Sequence, residues 1–393
     1  MSADSHTNLS IKEKENAWLV SPLIDLLFVA GGAVWILFSL HSLLFKGTLT
    51  GGVAELFLTI SATGAIIFAE THTIATMLTL YGNKATREKH SFHGIWLAAI
   101  CLGLILLGLI EKDLAPIYLK LYLLFIPHHF MNQCYGVALL YCFKRGYKIA
   151  GSEKLALRFF TESVAWYAVL KQLTYPSWSG MSLLNTKIPF WGPLPEHLCL
   201  LSGNIMNLAA AILVSIIVWK SFRGKDFLPL PSQLTILTGT LAFTLGPSLI
   251  GIYWLYVSAF FHGTQYLIIA TARHYNAVNA DKKAMGAYPL TFKNPAIKFL
   301  ALSQLISICV YLVIPNIALL AGLEELKLGV ILFALVNLFH ILTDSAIWKL
   351  RDPLVRSHLT PSEGARIVAR KETTKSRLCT PTNYFYQLSA KPK

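Results

Sequence analysis

The chain has 393 residues, of which 54% are hydrophobic and only 14% are charged, and its mean hydropathy is +0.54. Soluble domains are about 45–50% apolar and about 25% charged, so both fractions deviate in the direction expected of a lipid-embedded protein. The 34 basic and 20 acidic residues give a net charge of +14, which a membrane protein carries in its cytoplasmic loops. No basic stretch has interleaved aromatic residues. The composition excludes a soluble enzyme, a coiled coil and a disordered chain, and we expect no nucleic-acid partner.

The first twenty residues are polar and contain no short apolar core of the kind found in cleaved signal peptides. We assign 1–20 to a cytoplasmic N-terminal segment, 21–350 to a transmembrane helical domain and 351–393 to a basic cytoplasmic tail. Apolar runs of about 18 or more residues predict membrane-spanning helices. The sequence therefore predicts an all-α, polytopic integral membrane bundle of about ten helices. The predicted spans are 23–45, 52–81, 92–110, 115–143, 155–173, 199–219, 233–250, 252–272, 297–321 and 327–348.

Charge alternates between the predicted loops. The loops after spans two, four, six, eight and ten are basic, whereas the intervening loops are neutral or acidic, as at Glu324-Glu325. Basic loops lie on the cytoplasmic side, so the pattern predicts a multi-pass protein with both termini in the cytoplasm. Segment 233–272 carries Gly246-Pro247, where a helix should break because proline has no backbone donor. We expect two spans there, since one long kinked helix would invert the topology downstream.

Ionisable and amide side chains inside the predicted spans mark a site, because burying them in lipid is costly. Four spans carry a histidine together with such neighbours. From each of these histidines to the nearest basic residue at the predicted cytoplasmic end of its helix, the distance along the helix is about 18, 22, 16 and 14 Å, at 1.5 Å per residue. We therefore expect the four imidazoles to lie at one depth and to converge. The four distances join, in that order, His72 to Lys84, His129 to Lys144, His262 to Arg273, and His340 to Lys349.

Spacing within each helix suggests roles for the neighbours. His340 and Asp344 are four residues apart and share a face, as do His262 and Tyr266. Adjacent histidines point about 100° apart, so we expect that one of His128 and His129 binds a metal while the other supports it, or that each faces a different ion. We expect metal ligands at His72, His128, His129, His262 and His340; catalytic roles for Tyr266 and Asp344; supporting roles for Glu70, Asn132, Gln133, Gln265 and Asn337; and a possible contribution from His90 and His93.

Imidazole and carboxylate ligands suit iron, zinc or copper, and an open position on iron permits oxygen chemistry. We expect iron, mononuclear or dinuclear, with zinc, copper and haem as the other possibilities. The six cysteines are scattered and contain no Cys-x-x-Cys pair, which argues against a structural zinc site. The bilayer itself would deliver an apolar small-molecule substrate, and an electron donor is a further possible partner.

Two short segments resemble those of the membrane histidine-box di-iron oxygenases, which include fatty-acid desaturases and hydroxylases. They are His90-Ser-Phe-His93 and Pro127-His128-His129, although no His-x-x-His-His motif is present. The resemblance implies a membrane helical bundle that oxidises lipids at iron.

Isolated histidines on several spans resemble the arrangement in bacterial membrane carotene-cleaving dioxygenases, which place such residues around one iron. The matching positions are His72, His129, His262 and His340. His262-x-x-x-Tyr266, taken with the histidine pair of span four, is also similar to haem–copper oxidases.

The sequence therefore predicts an integral-membrane, metal-dependent oxidoreductase that acts on a lipid-soluble substrate through intramembrane histidines. A proton- or cation-coupled transporter with a histidine-lined site is the alternative, and Gly246-Pro247 offers the broken helix that such proteins use. The absence of an internal repeat counts against a transporter. A haem-binding electron carrier and a structural scaffold are further alternatives.

Overall fold

The computed structural model describes residues 17–45, 63–111, 113–176, 182–184, 186–224, 226–245, 253–279, 294–323 and 327–359. These residues are almost entirely helical, which confirms the all-α prediction. Their only strands form a two-residue antiparallel hairpin, in which β1 (Ser182–Leu183) pairs with β2 (Thr186–Lys187). Several predicted features lie outside the described residues: 52–62 of span two, Gly246-Pro247, Glu324-Glu325 and the tail from 360 onward.

The described helices follow the predicted apolar runs to within a few residues at most positions. In chain order they are α1 (Pro22–Val29), α2 (Gly32–Phe45), α3 (Thr71–Tyr81), α4 (Lys84–Lys89), α5 (Ala98–Ile110), α6 (Leu114–Lys144), α7 (Gly151–Thr174), α8 (Glu196–Phe222), α9 (Leu230–Phe243), α10 (Tyr253–Asn279), α11 (Pro295–Ile308), α12 (Ile314–Leu320), α13 (Leu328–Ile347) and α14 (Pro353–Leu359).

π-helical segments with i→i+5 hydrogen bonds interrupt this pattern. One forms the second part of α1, and the others lead directly into α3, α5 and α12. Such bulges are frequent at functional sites because they shift the facing of the residues that follow. The segments are Asp25–Val29, Ala65–Glu70, Phe92–Leu97 and Cys309–Val313.

Four of the described helices are long and apolar enough to cross a membrane: Phe92–Ile110, Glu196–Phe222, Pro295–Leu320 and Leu328–Ile347. The predicted span over 23–45 is bent, because α1 and α2 meet at 60°, and the two helices are long and apolar enough to cross a membrane only as a pair. Gly31 lies at the bend with φ +90°, and a Cβ there would lie 2.5 Å from the Thr238 side chain. The bend therefore brings the backbone close to α9, an approach that only glycine permits.

The helix α6 forms the centre of the bundle and packs against α7, α9 and α13. On the other side, α10 packs against α3 and against the π-helical segment that precedes it. Buried apolar residues of α6, among them Leu119, Leu123 and Met131, pack in these contacts, which in lipid are stabilised by van der Waals packing rather than by removal of apolar surface from water. Leu119 and Leu123 belong to the same buried cluster as Leu183 of the hairpin, so part of the segment between α7 and α8 packs on the bundle.

Segment 233–272 contains two helices, α9 and α10, within the described residues. The beginning of the predicted tail forms α14, whose Val355 and Leu359 are buried against Val137 and Tyr141 of α6. The predicted tail therefore starts as a packed element rather than as an extension separate from the bundle.

Candidate metal centre

Four histidines from four helices converge on one point inside the bundle. His72 lies on α3, His129 on α6, His262 on α10 and His340 on α13, and one nitrogen from each ring lies within 4.8 Å of the others. His340 Nε2 is 3.0 Å from both His72 Nε2 and His129 Nε2. Three of the four rings are buried and His129 is partly buried. The predicted convergence of these four imidazoles therefore describes the arrangement found.

The orientation of His72 follows from the π-helical segment before α3. Its Nδ1 lies within hydrogen-bonding distance of the Ala69 carbonyl oxygen. A carbonyl can only accept, so Nδ1 carries the proton and the lone pair of Nε2 faces the other histidines. The bulge thus fixes both the direction and the tautomer of this ring.

A side-chain network behind His340 has the same effect on that ring. Its Nδ1 lies 2.7 Å from Thr76 Oγ1, and this hydroxyl donates to Asp344 Oδ1 at 2.9 Å. The Thr76 oxygen then accepts from Nδ1, which leaves the Nε2 lone pair of His340 directed at the group. Tyr266 OH donates to the same Asp344 oxygen at 3.1 Å, and Trp348 Nε1 donates to Tyr266 OH at 2.8 Å.

Tyr266 and Asp344, expected to be catalytic, therefore lie in the network that supports His340. Sequence reasoning missed Thr76 and Trp348, although each has a signal in the spacing. Thr76 lies one helical turn after His72, and Trp348 lies one turn after Asp344. Threonine and tryptophan are so common in membrane helices that spacing alone does not single them out.

His262 has no hydrogen-bond partner on either ring nitrogen, although it is only 7% exposed. Its ring stacks on Phe130 at 5.0 Å and 25° and faces His72 and His129 with centroids 4.8 and 4.9 Å away. Buried polar atoms without a partner are rare and call for an explanation. An ion among the four rings would satisfy one of these nitrogens, so the residues present fit a metal.

Amide side chains connect the helices that carry the histidines. Gln133 Nε2 donates to the His262 carbonyl at 3.2 Å and to Gln265 Oε1 at 2.7 Å, which joins α6 to α10. Asn337 Nδ2 donates to Glu70 Oε2 at 3.0 Å and its Oδ1 accepts from Thr73 at 2.8 Å, which joins α13 to α3. These amides and the Glu70 carboxylate hold helix positions and do not contact the imidazole nitrogens.

His128 does not join the four-histidine group, contrary to its assignment as a ligand. Its Nδ1 lies 3.3 Å from Glu162 Oε2 on α7, and its ring contacts Trp166 at 4.6 Å between centroids. The reason is the 100° step between adjacent helical residues, which allows only one member of the pair to face the group. Asn132, expected to support the site, instead accepts a hydrogen bond from Arg158.

His90 and His93 also lie apart from the four-histidine group, at the junction between α4 and α5. Their ring centroids are 6.2 Å apart. Partial burial, together with the nearby His93 and Lys89, lowers the pKa of His90. Neither residue is among the histidines whose ring nitrogens converge.

A cavity of about 630 Å³ reaches the four-histidine group from the side of His129, between α6 and α13. Tyr266 and Asp344 also line it, whereas Phe125 and Ile341 are among its apolar wall residues. This volume is typical of a site for a small molecule. A substrate in the cavity would lie next to His129.

The chain matches no protein-family model, no curated protein and no solved structure at a significant level. The functional argument consequently depends on the geometry of the four-histidine group and the cavity.

Proposed function

We propose that the protein is an integral-membrane, metal-dependent oxidoreductase, with one iron ion held by His72, His129, His262 and His340, acting on a lipid-soluble substrate. The observation that carries this proposal is His262, a buried imidazole with two unpartnered nitrogens beside three other converging imidazoles. Neutral imidazole is the commonest protein ligand for transition metals.

The spacing of the nitrogens supports a single ion. Bonds of about 2.0–2.1 Å from imidazole to a metal, as for zinc, place neighbouring ligand nitrogens about 3 Å apart. The separations of 3.0 Å from His340 Nε2 to His72 Nε2 and His129 Nε2 agree with this value. Two-metal sites need ions about 3.5–4 Å apart and bridging ligands, and no carboxylate belongs to the group. A porphyrin would occupy the space that the four rings themselves fill, which disfavours haem.

Iron is favoured over zinc and copper because four imidazoles leave open positions on an octahedral ion at the inner end of an apolar cavity. Bound iron would supply activation of dioxygen there. Ala69 and Thr76 orient two of the ligand rings, and partners of this kind typically affect metal affinity 10–100-fold. Phe125 and Ile341 are among the apolar residues that line the cavity beside His129.

The polytopic arrangement supports access from the bilayer. The helices α6, α7 and α10 are less apolar because they carry polar residues of the bundle interior, yet α6 has 31 residues and α10 has 27. At 1.5 Å per residue both exceed the roughly 30 Å of a hydrocarbon core. We propose that they also cross the membrane, in a multi-pass bundle of about ten spans with cytoplasmic termini. An electron donor would then dock from the cytoplasmic side.

Metal content of the detergent-purified protein tests the proposal. Wild type should contain close to one equivalent of iron by elemental analysis, and His262→Ala and His340→Ala should contain far less. His128→Ala is the matched control, because it removes the adjacent imidazole that pairs with Glu162, and it should retain the metal. Wild-type protein prepared with iron in the medium but containing no transition metal would refute the proposal. Equal metal loss in the control would show that the four-histidine group is not the site.

A further inference from the structure

The cavity beside His129 has a charged rim at the end away from the four-histidine group. Lys154 at the start of α7, and Lys349 and Arg351 just after α13, line this rim. No ion pair joins any of the three to another described residue.

The neighbouring charges are already neutralised. Arg158, which also lines the cavity, pairs with Glu162, and Lys89 pairs with Asp352. Among the described residues, Asp344 is the only carboxylate that lines the cavity, and it is buried and bonded to Thr76 and other donors. The rim therefore presents unneutralised positive charge, whereas the interior wall is apolar.

The wall between the rim and His129 is suited to a hydrocarbon chain. Leu139, Ile341 and Leu342 line this wall, and Phe125 lines the cavity one helical turn beyond His129. Phe125 and Leu342 are 44% and 40% exposed. Exposed apolar side chains at the edge of a cavity allow entry from surrounding lipid. A ligand that is complementary to both the basic rim and the apolar wall has a long apolar chain and an anionic end group.

We propose that the cavity binds a long-chain carboxylate, with the carboxylate at the rim of Lys154, Lys349 and Arg351 and the chain extending to the four-histidine group. This inference rests on the proposed function and names its substrate class. Among anionic lipids, a single-chain acid fits a volume of about 630 Å³, whereas a two-chain phospholipid exceeds a typical small-molecule site.

The length of the chain follows from α13. Lys349 lies nine residues after His340, which corresponds to about 14 Å along a helix. Carbon–carbon bonds of about 1.5 Å at about 111° advance an extended chain by about 1.25 Å per carbon. The position next to the metal is therefore about eleven carbons from the carboxylate.

Equilibrium binding of parinaric acid, a fluorescent polyene fatty acid, tests the inference. The protein is placed in nanodiscs of phosphatidylcholine, which carries no net charge, and binding is followed by energy transfer from tryptophan. We expect parinaric acid to bind at least tenfold more tightly than its methyl ester. The double variant K349Q/R351Q should weaken binding of the acid about ten- to thirtyfold. Each basic residue near a membrane surface increases the affinity for an anionic ligand by a factor of roughly five.

The matched control is K84Q/R87Q, which removes two basic charges from exposed positions on α4 that do not line the cavity. It should leave binding unchanged. Measurements before and after chelation separate this inference from the proposed function: retained acid binding in metal-free protein supports the carboxylate site even if the protein proves not to be an iron enzyme.

Three results would overturn the inference. Equal affinity for the acid and its ester would show that the rim does not bind the carboxylate. Equal loss in both double variants would assign the effect to general surface charge. Displacement of parinaric acid by phosphatidic acid as effectively as by stearic acid would assign the rim to phospholipid headgroups.

Discussion

Gly263→Ala is expected to disrupt the metal centre without touching any of its ligands. Gly263 follows His262 on α10 at the point where this helix crosses the π-helical segment before α3. A Cβ at this position would lie 2.5 Å from the carbonyl carbon and oxygen of Phe68 and 2.6 Å from the Ala69 nitrogen. These atoms are backbone and cannot rotate away, so the two elements must separate.

The size of the separation follows from the contact distances. Ordinary Cβ contacts begin near 3.4 Å, so α10 must move by about 0.9 Å. Metal–ligand distances tolerate deviations of only about 0.2 Å, so His262 would leave bonding distance. Overpacking costs about 1–3 kcal/mol, of which the higher helix propensity of alanine recovers about 1 kcal/mol. We expect a net loss of up to about 2 kcal/mol of stability and at least a tenfold loss of metal affinity.

Metal affinity is measured by competition with a chelator, and stability by thermal unfolding in the same detergent. The matched control is Gly103→Ala on α5, where a Cβ would have no atom within 4 Å. The control should retain wild-type metal affinity and gain up to about 1 kcal/mol from helix propensity. Wild-type metal affinity in Gly263→Ala would refute the argument that this close approach sets the position of His262.

Three further results are expected. Thr76→Val should retain a folded protein but bind metal 10–100-fold more weakly, because His340 loses its oriented partner, whereas Thr79→Val, which removes only a bond to the Ala75 carbonyl, should not. Lys220→Met should lower stability by about 3–5 kcal/mol without affecting metal content, since it leaves the buried Glu153 carboxylate without its cation; unchanged unfolding would contradict the role of this pair. Burial and the hydrogen bond to Glu153 raise the pKa of Tyr147 to about 12, above its usual value of 10. The stability from this protonated phenol should be present below pH 10 and lost as the pH rises through 12, and pH-dependent unfolding of wild type against Tyr147→Phe would show whether this loss occurs.

Much of the helical organisation was predictable because long apolar runs and a 3.6-residue repeat depend on the local sequence. The helices around His129 and His340 begin and end within a few residues of the predicted spans. The bend at Gly31 was not predictable, because it depends on contact with Thr238, far away along the chain. The same applies to the packing of Val355 and Leu359, which are too few to form a recognisable apolar run.

The sequence by itself determined the position of each histidine along its helix, because that position advances by a constant 1.5 Å per residue. It did not determine which way each ring points, because rotation about the helix axis is set by the neighbouring helices. The tertiary structure therefore decided that His129 faces the group while His128 pairs with Glu162. It also decided that Thr76 supports His340 and that a cavity joins the group to a basic rim. These features depend on side chains from separate helices, which become neighbours only when the bundle packs.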